Sequence, residues 1–290
     1  MADDPPSTSH IEAAALEHTR LFAHLAIADA YKLSAEEAQR RFGIKRTEEV
    51  DLTYGDIPFT ALAHGLHAAA PRPGTLFCDL GSGVARGVLA AALLYKFSKC
   101  VGVELLTDLH AAAAEPAKRF ESLREQCTIS PSEPATTGFD ARRIAACVEL
   151  VNADLFDVNL ADAATAAAAT NPGDVLVFLC CVTWGPSLMQ RLAAKLANEL
   201  PNGSRVLTVG QRLPAFVDLG EAVEARAAEA GASTAKDKAA KLRGAVRFDE
   251  AWRGAEAFEW GSEAVVLHEV VRVGVLEARR LRKAAGTSKR

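Results

Sequence analysis

The chain has 290 residues, of which 49% are hydrophobic and 24% are charged, and its formal net charge is −4. This composition excludes a chain that is disordered throughout, and the net negative charge argues against a protein that coats nucleic acid by charge alone. The length is enough for one large α/β domain or two small ones.

The six cysteines show no C-x-x-C pair and no zinc-ligand spacing. This favours reduced thiols in a core over a metal site or a disulfide. The first ten residues, MADDPPSTSH, lack the apolar stretch of a secretion signal, and no apolar run approaches the roughly 18 residues of a membrane helix. We therefore expect a reducing, intracellular compartment, with no membrane partner and no bound metal.

The N-terminal quarter of the chain predicts helices. Residues 1–9 are expected to be disordered, and an N-terminal helical segment is expected over 10–70. Within it, apolar positions recur at helical spacing over 11–31. Ser34 followed by Glu37 predicts a capping box that starts a short second helix.

The stretch TYGDIPF, residues 53–59, predicts a turn that leads into a helix, which the PRPG stretch then ends. From there, apolar strands alternate with helices. The predicted strands are 75–80, 99–105, 147–155, 174–181 and 204–210, and the predicted helices include 86–96, 107–125 and 186–200. This alternation predicts a parallel sheet with helices on both faces. Strand patterns at 245–260 and 263–273 follow each other directly and predict an antiparallel hairpin that completes a Rossmann-like sheet of seven strands.

We expect this sheet domain to cover 71–276, with two insertions. The stretch 127–143 is rich in Pro, Ser and Thr, which predicts a surface loop, and 215–243 is rich in Ala, Glu and Lys, which predicts helix. The remaining residues, 277–290, form a basic tail with six basic residues and one acidic residue. Such a tail predicts either a solvated helix or a segment that binds polyanions.

The stretch FCDLGSGVARG, residues 77–87, has the pattern of a strand, a glycine turn and a helix start. Gly81 and Gly83 let the backbone approach a ligand at a helix N-terminus. The dinucleotide fingerprint G-x-G-x-x-G would need a glycine where this chain has Arg86, and the Asp79 carboxylate would repel a pyrophosphate. The same carboxylate favours an ammonium or sulfonium group, which indicates S-adenosylmethionine rather than NAD.

Two more acidic residues follow the next two strands. Glu104 lies 21 residues beyond Gly83 and can accept hydrogen bonds from both hydroxyls of a ribose. Asp154 could accept from the amino group of adenine, while Leu155 covers the ring. Because the carboxyl ends of parallel strands meet at one edge of a sheet, these residues predict a single cofactor site.

The motifs DLGSG, VGVEL and NADL together resemble the class I S-adenosylmethionine-dependent methyltransferases. The stretches TYGDIPF and VFLCCVTWGPSLMQRLA make the chain most similar to the non-SET histone-lysine methyltransferases of the disruptor-of-telomeric-silencing family and to their protist and algal relatives. The similar stretches lie within 50–213 and 257–273. The resemblance implies methylation of a protein lysine, a histone as the substrate class, and a location in the nucleus rather than the cytoplasm; it allows a nucleosome as partner.

The resemblance also implies roles for two loops. The loop that contains Tyr54, Asp56 and Ile57 would fold over the methionine end of the cofactor. The loop after the fourth strand would border the channel for the incoming amine. The candidate catalytic positions are therefore Tyr54, Cys181 and Trp184.

The chain departs from the family at two points. Ala85 stands where the family has the third glycine of the motif, and Cys180 and Cys181 stand where it typically has asparagine. Two alternatives to a protein-lysine methyltransferase stay open: a methyltransferase of a non-histone protein or small molecule, and an inactive cofactor-binding subunit with a role in interaction or assembly. A dehydrogenase is opposed by Asp79 and Arg86.

Overall fold

The computed structural model describes residues 5–43, 52–129, 139–162, 174–219, 245–258, 261–274, 277–278, 280–281 and 283–284. The helices in this part are α1 (Thr8–Leu21), α2 (Ile27–Phe42), α3 (Phe59–Ala69), α4 (Arg86–Leu94), α5 (Thr107–Ile129), α6 (Ala141–Cys147) and α7 (Pro186–Glu199). The strands are β1 (Leu76–Leu80), β2 (Lys99–Glu104), β3 (Val148–Asn152), β4 (Val175–Cys180), β5 (Arg205–Val209), β6 (Phe216–Asp218), β7 (Ala245–Phe258) and β8 (Gly261–Val273). No helix in the described ranges is both long enough and apolar enough to span a lipid bilayer.

The described strands form one sheet in the order β3–β2–β1–β4–β5–β8–β7–β6. Strands β1 to β5 pair in parallel, whereas β8, β7 and β6 are added as antiparallel neighbours. In this register Asp79 of β1 lies beside Gly102 of β2 and Phe178 of β4. The predicted fold class, a Rossmann-like α/β sheet, is thereby confirmed, and the sheet has eight described strands where the sequence predicted seven.

Both faces of the sheet are covered because side chains alternate along each buried strand. On one face, Phe77 and Phe178 stack with ring centroids 6.4 Å apart in a core shared with α1 to α6. On the other face, Cys78 and Leu80 join a second core with α7. Helices on both faces leave the carboxyl ends of the parallel strands as the open edge, where ligands bind in such sheets.

The N-terminal helices differ from the prediction. Helix α1 begins at Thr8, within the stretch expected to be disordered, and the Ser7 hydroxyl accepts a hydrogen bond from His10 N at 3.3 Å. The periodic stretch 11–31 is divided between α1 and α2. Ser34 and Glu37 do not form the predicted capping box at a helix start, because α2 continues from Ile27 through both of them to Phe42.

The two insertions are described only at their ends. Helix α5 extends to Ile129 and α6 begins at Ala141, so both ends of the predicted loop 127–143 are helical; its centre lies outside the described residues. At the start of the insertion 215–243, predicted to be helical, the structure has the short edge strand β6, followed by Leu219 in helical conformation; 220–243 lie outside the described residues. The start of the basic tail is not fully solvated, because Ala278 is buried in a small core with Ala245 and Val273.

Candidate active site

A cavity of about 300 Å³ lies at the carboxyl ends of β1, β2, β3 and β4. This is the position expected for a ligand in an open α/β sheet, and the volume is at the lower end of the range of small-molecule sites. Of the residues singled out from the sequence, the cavity is lined by Tyr54, Gly81, Gly83, Glu104, Asp154, Leu155, Cys180 and Trp184. Residues from five separate stretches of the chain therefore meet at one place.

Four of the predicted site residues lie behind the cavity wall. Asp56 and Ile57 are buried beneath their loop, and Asp79 is buried below the glycine turn with 2% of its surface exposed. Cys181 points away from the cavity, since its thiol donates to the Val209 carbonyl at 3.2 Å and its side chain belongs to the core on the α7 face. The structure thus does not bring Cys181 to the site.

The glycine turn is shaped by two aromatic side chains. Gly81 and Gly83 have positive φ angles, +83° and +54°. A Cβ atom on Gly83 would lie 2.4 Å from Cε2 of Tyr54, and one on Gly81 would lie 3.4 Å from Cζ2 of Trp184. Gly83 is therefore required for the close approach of Tyr54 as well as for the left-handed backbone.

Ala85 also has a left-handed backbone, with φ of +66°, and it is fully buried. The departure from the family's glycine thus involves more than an added methyl group. An alanine in this region carries a conformational cost of roughly 1–2 kcal/mol that glycine does not carry.

The Glu104 carboxylate is fixed at the cavity by two backbone donors. Gly83 N donates to Oε2 and Leu106 N donates to Oε1, both at 2.7 Å. Burial raises the pKa of Glu104, and these backbone N–H donors oppose that shift. Each oxygen keeps a second lone pair, so the carboxylate can still accept hydrogen bonds from a ligand.

Three carboxyl groups, those of Asp56, Asp79 and Glu104, lie close together near the glycine turn. Burial raises the pKa of Asp79 well above its ordinary value, and the neighbouring carboxylates of Glu104 and Asp56 raise it further. Asp56 forms an ion pair with Arg86 at 3.3 Å, whereas no ion pair among the described residues includes Asp79 or Glu104. A cationic ligand would relieve this repulsion, and a pyrophosphate would increase it.

The third strand ends in a turn that forms one end of the cavity. The Oδ1 atom of Asp154 accepts from Phe156 N at 2.9 Å, and the guanidinium of Arg191 lies 4.3 Å from the centre of the Phe156 ring. Sequence reasoning missed Phe156, Leu188 and Arg191. The spacing of Leu188 and Arg191, three residues apart on α7, was a signal that both could face the same wall.

Two loops flank the glycine turn: the Tyr54 loop, residues 52–58, and the Trp184 loop, residues 181–185. The Tyr54 loop approaches the end of β4, where a Cβ atom on Gly55 would lie 3.3 Å from the Cys180 sulfur. Burial raises the pKa of Cys180, and it raises the pKa of Cys181 to about 12. Both thiols are therefore protonated near neutral pH and cannot act as thiolate nucleophiles there.

Comparison with known protein families finds a match to one family model. The family model described as histone methylation protein DOT1 matches residues 45–171, which is less than half of the chain. Over this range the chain is similar to DOT1. The matched range contains the Tyr54 loop, the glycine turn, Glu104 and Asp154, so the resemblance drawn from the sequence is confirmed and a methyltransferase is supported.

Solved structures show more distant likeness. The precorrin-6y C5,15-methyltransferase of Geobacter metallireducens GS-15 is 12% identical with a TM-score of 0.34, and 72% of this chain and 87% of that one are covered. The B. subtilis tRNA methyltransferase TrmK is 12% identical with a TM-score of 0.37 and coverage of 72% and 64%. TrmN of Thermus thermophilus is 15% identical with a TM-score of 0.38 and coverage of 74% and 49%. Scores this low identify neither substrate nor activity, and the comparison with curated proteins finds no match.

Proposed function

We propose that this protein is an S-adenosylmethionine-dependent methyltransferase whose acceptor is the amino group of a protein lysine. The observation that carries the proposal is the shared cavity, in which Glu104 and Asp154 face the same space as the glycine turn. The buried carboxylates beneath that turn favour a cofactor with a positive charge. The similarity of residues 45–171 to DOT1 supports the lysine acceptor.

The residues present fit this cofactor. Asp79 and Glu104 supply acceptors that form no ion pair within the described part of the chain, and the cavity offers Leu155 and Phe156 as apolar surface for an adenine ring. Glu104 would hold the ribose hydroxyls, and Asp154 would accept from the adenine amino group. Tyr54 would cover the methionine end from its position against Gly83. When bound, S-adenosylmethionine supplies the methyl group on its sulfonium.

The contribution of the chain to such a transfer is orientation and exclusion of water. An in-line displacement needs the acceptor lone pair aligned with the sulfur–methyl bond, and no nucleophile from the protein. A lysine must also lose its proton, and an apolar channel favours this because desolvation lowers the pKa of an amine. Trp184 would form the main wall of that channel, with the protonated Cys180 thiol beside it.

Calorimetry with S-adenosylmethionine, its demethylated product and NAD tests the cofactor. We expect both sulfur compounds to bind and NAD to fail to bind. Binding of NAD without binding of S-adenosylmethionine would contradict the proposal. Incubation with labelled S-adenosylmethionine and a cell extract then tests the acceptor, and label in a small molecule rather than in protein would contradict the lysine assignment.

The second candidate is an inactive cofactor-binding subunit. The observation that favours it is the thiol of Cys180 at the cavity, where the family typically has asparagine, because a thiol orients an amine less well than an amide does. Tight binding of S-adenosylmethionine with no labelled acceptor in any extract would favour this candidate.

A further inference from the structure

Helix α2 contacts two segments next to the cavity through two buried polar side chains. Ser34 and Glu37 are one helical turn apart, and their exposed fractions are 1% and 2%. Residues at this spacing lie on one face of a helix, so both project from α2 toward the sheet domain. Buried polar groups need partners, and both residues find them in other parts of the chain.

Ser34 is bonded to the Tyr54 loop. Its hydroxyl donates to the Leu52 carbonyl oxygen at 2.5 Å and accepts from Tyr54 N at 3.2 Å. Leu52 and Tyr54 both line the cavity. One side chain of α2 therefore fixes the backbone on both sides of Thr53.

Glu37 is bonded to the start of α5, which directly follows the cavity-lining residues Leu105 and Leu106. Its two carboxylate oxygens accept from Thr107 N at 2.9 Å and from Asp108 N at 2.7 Å, the first backbone donors of α5. A carboxylate at this point also interacts favourably with the helix dipole of α5. Arg41, one turn further along α2, donates to Glu37 Oε1 at 3.1 Å and to the Leu105 carbonyl at 3.0 Å.

These contacts reach the backbone next to Glu104, the proposed acceptor for the ribose hydroxyls. Leu105 and Leu106 separate Glu104 from the capped start of α5, and Leu106 N is one of the two donors to the Glu104 carboxylate. Fixing Thr107 N and Asp108 N thus restricts the backbone that orients Glu104. Ser34 and Glu37 together join the Tyr54 loop to the connection between β2 and α5 through one helix.

We propose that Ser34 and Glu37 are positioning residues that couple the docking of α2 to cofactor binding. The proposal depends on the function proposed above, because the coupled site is the S-adenosylmethionine cavity. Cofactor bound between the Tyr54 loop and Glu104 favours the arrangement in which α2 holds both. By linkage, docked α2 then raises cofactor affinity, and bound cofactor protects α2 from opening.

The variants Glu37→Gln and Ser34→Ala test this coupling by calorimetry with S-adenosylmethionine. Glutamine keeps one acceptor oxygen but places an NH2 group against a backbone donor, so we expect the Kd to rise about tenfold, within the usual range of coupling between sites. For Ser34→Ala we expect a rise of about threefold to tenfold. Wild-type affinity in both folded variants would overturn the proposal.

The control is Asp29→Ala on the same helix. The exposed Asp29 side chain accepts from Ala26 N at 3.2 Å and stabilises only the start of α2. We expect its Kd to stay within about twofold of the wild-type value, since the loss of one local cap leaves both contacts to the cavity in place. An equal loss in Asp29→Ala would show that general helix stability, rather than positioning, determines the affinity.

Amide hydrogen exchange of the wild-type protein provides a measurement that does not depend on the folding of any variant. We expect saturating S-adenosylmethionine to slow exchange in α2 as well as in the Tyr54 loop. Slower exchange in the Tyr54 loop alone would overturn the coupling and leave the proposed function intact. Failure of the wild-type protein to bind S-adenosylmethionine would contradict the proposed function itself, and the coupling with it.

Discussion

The two loops beside the glycine turn are held in different ways. The Tyr54 loop is held by buried polar contacts: Asp56 pairs with Arg86, and Ser34 bonds the backbone at Leu52 and Tyr54. The Arg86 guanidinium also donates to the Leu25 carbonyl at 2.7 Å and lies over the Phe22 ring. The N-terminal helices therefore determine where this loop lies.

The Trp184 loop is held by its own backbone and by apolar packing. Trp184 N donates to the Cys181 carbonyl at 3.2 Å, and the Cys181 thiol donates to the β5 backbone. A Cβ atom added to Gly81 would meet the Trp184 ring at an ordinary contact distance of 3.4 Å. The comparison indicates that the Tyr54 loop, on the proposed cofactor side, is oriented by charge and hydrogen bonds, and that the Trp184 loop, on the proposed acceptor side, is oriented by backbone contacts and packing.

The largest expected difference is in the free energy of unfolding, when the glycine that faces each loop, Gly83 or Gly81, is replaced by alanine. Gly83→Ala combines backbone strain with a 2.4 Å contact to Tyr54, so we expect it to lower the free energy of unfolding by about 2–5 kcal/mol. Gly81→Ala meets Trp184 only at 3.4 Å, and we expect the strain alone, about 1–2 kcal/mol. Urea denaturation measures both.

Gly203→Ala is the matched control for the glycine pair. Gly203 has φ of +84°, and a Cβ atom added there would have no neighbouring atom within 4 Å. Gly203→Ala should therefore lower the free energy of unfolding by the backbone strain alone, again about 1–2 kcal/mol. If Gly83→Ala lost no more stability than Gly203→Ala, the close fit of Tyr54 to the glycine turn would be wrong.

The next largest expected effect is on cofactor binding, when the carboxylates near the glycine turn are removed. We expect Asp79→Ala and Glu104→Ala each to weaken S-adenosylmethionine binding by about 1–3 kcal/mol, because charge-assisted interactions are lost. Calorimetry measures the change. Wild-type affinity in both variants would place the cofactor elsewhere.

The same carboxylates predict a pH dependence. Because burial raises the pKa of Asp79, protonation on acidification begins at a higher pH than for an ordinary aspartate, and a protonated carboxyl attracts a cation less. Cofactor affinity should therefore fall as the pH falls through that raised pKa. A raised pKa also means that the cofactor-free protein loses stability as the pH rises through it. Asp79→Asn should thus unfold at a higher urea concentration near neutral pH while it binds the cofactor less tightly.

Substitutions in the Trp184 loop should lower turnover rather than cofactor affinity. We expect Trp184→Ala to lower turnover at least tenfold, about 1.4 kcal/mol of transition-state stabilisation, and to leave the Kd for S-adenosylmethionine nearly unchanged. Cys181→Ser should change turnover little, since Cys181 faces away from the cavity. Full turnover in Trp184→Ala would mean that the acceptor channel lies elsewhere.

The smallest expected effect is a change in the free energy of unfolding when Ala85, at the end of the glycine turn, is replaced by glycine. Ala85 directly precedes Arg86, which anchors the Tyr54 loop, and it has a left-handed backbone. Ala85→Gly should raise the free energy of unfolding by up to about 1 kcal/mol, because glycine removes the strain. A loss of stability would mean that burial of the methyl group outweighs the strain.

The sequence by itself determined the sheet and the acidic residues at its open edge. Asp79, Glu104 and Asp154 each lie within two residues of the end of an apolar strand, and parallel strands present their carboxyl ends on the same side. Apolar strands alternating with helices therefore place these residues together without knowledge of any side-chain contact. Two of them line the cavity and Asp79 lies directly behind it.

Only the tertiary structure showed which polar side chains hydrogen-bond within their own helix and which bond residues far away in the sequence. Ser34 and Glu37 have the spacing of a capping box, yet that spacing equally places two residues on one face of a longer helix. Their backbone partners lie 18 to 71 residues away in the sequence. A local pattern cannot distinguish these cases, because a buried hydrogen-bonding group is stabilised equally by a near or a distant partner. In the same way, adjacent residues of an extended chain face opposite sides, so only the packed sheet showed that Cys180 faces the cavity and Cys181 the core.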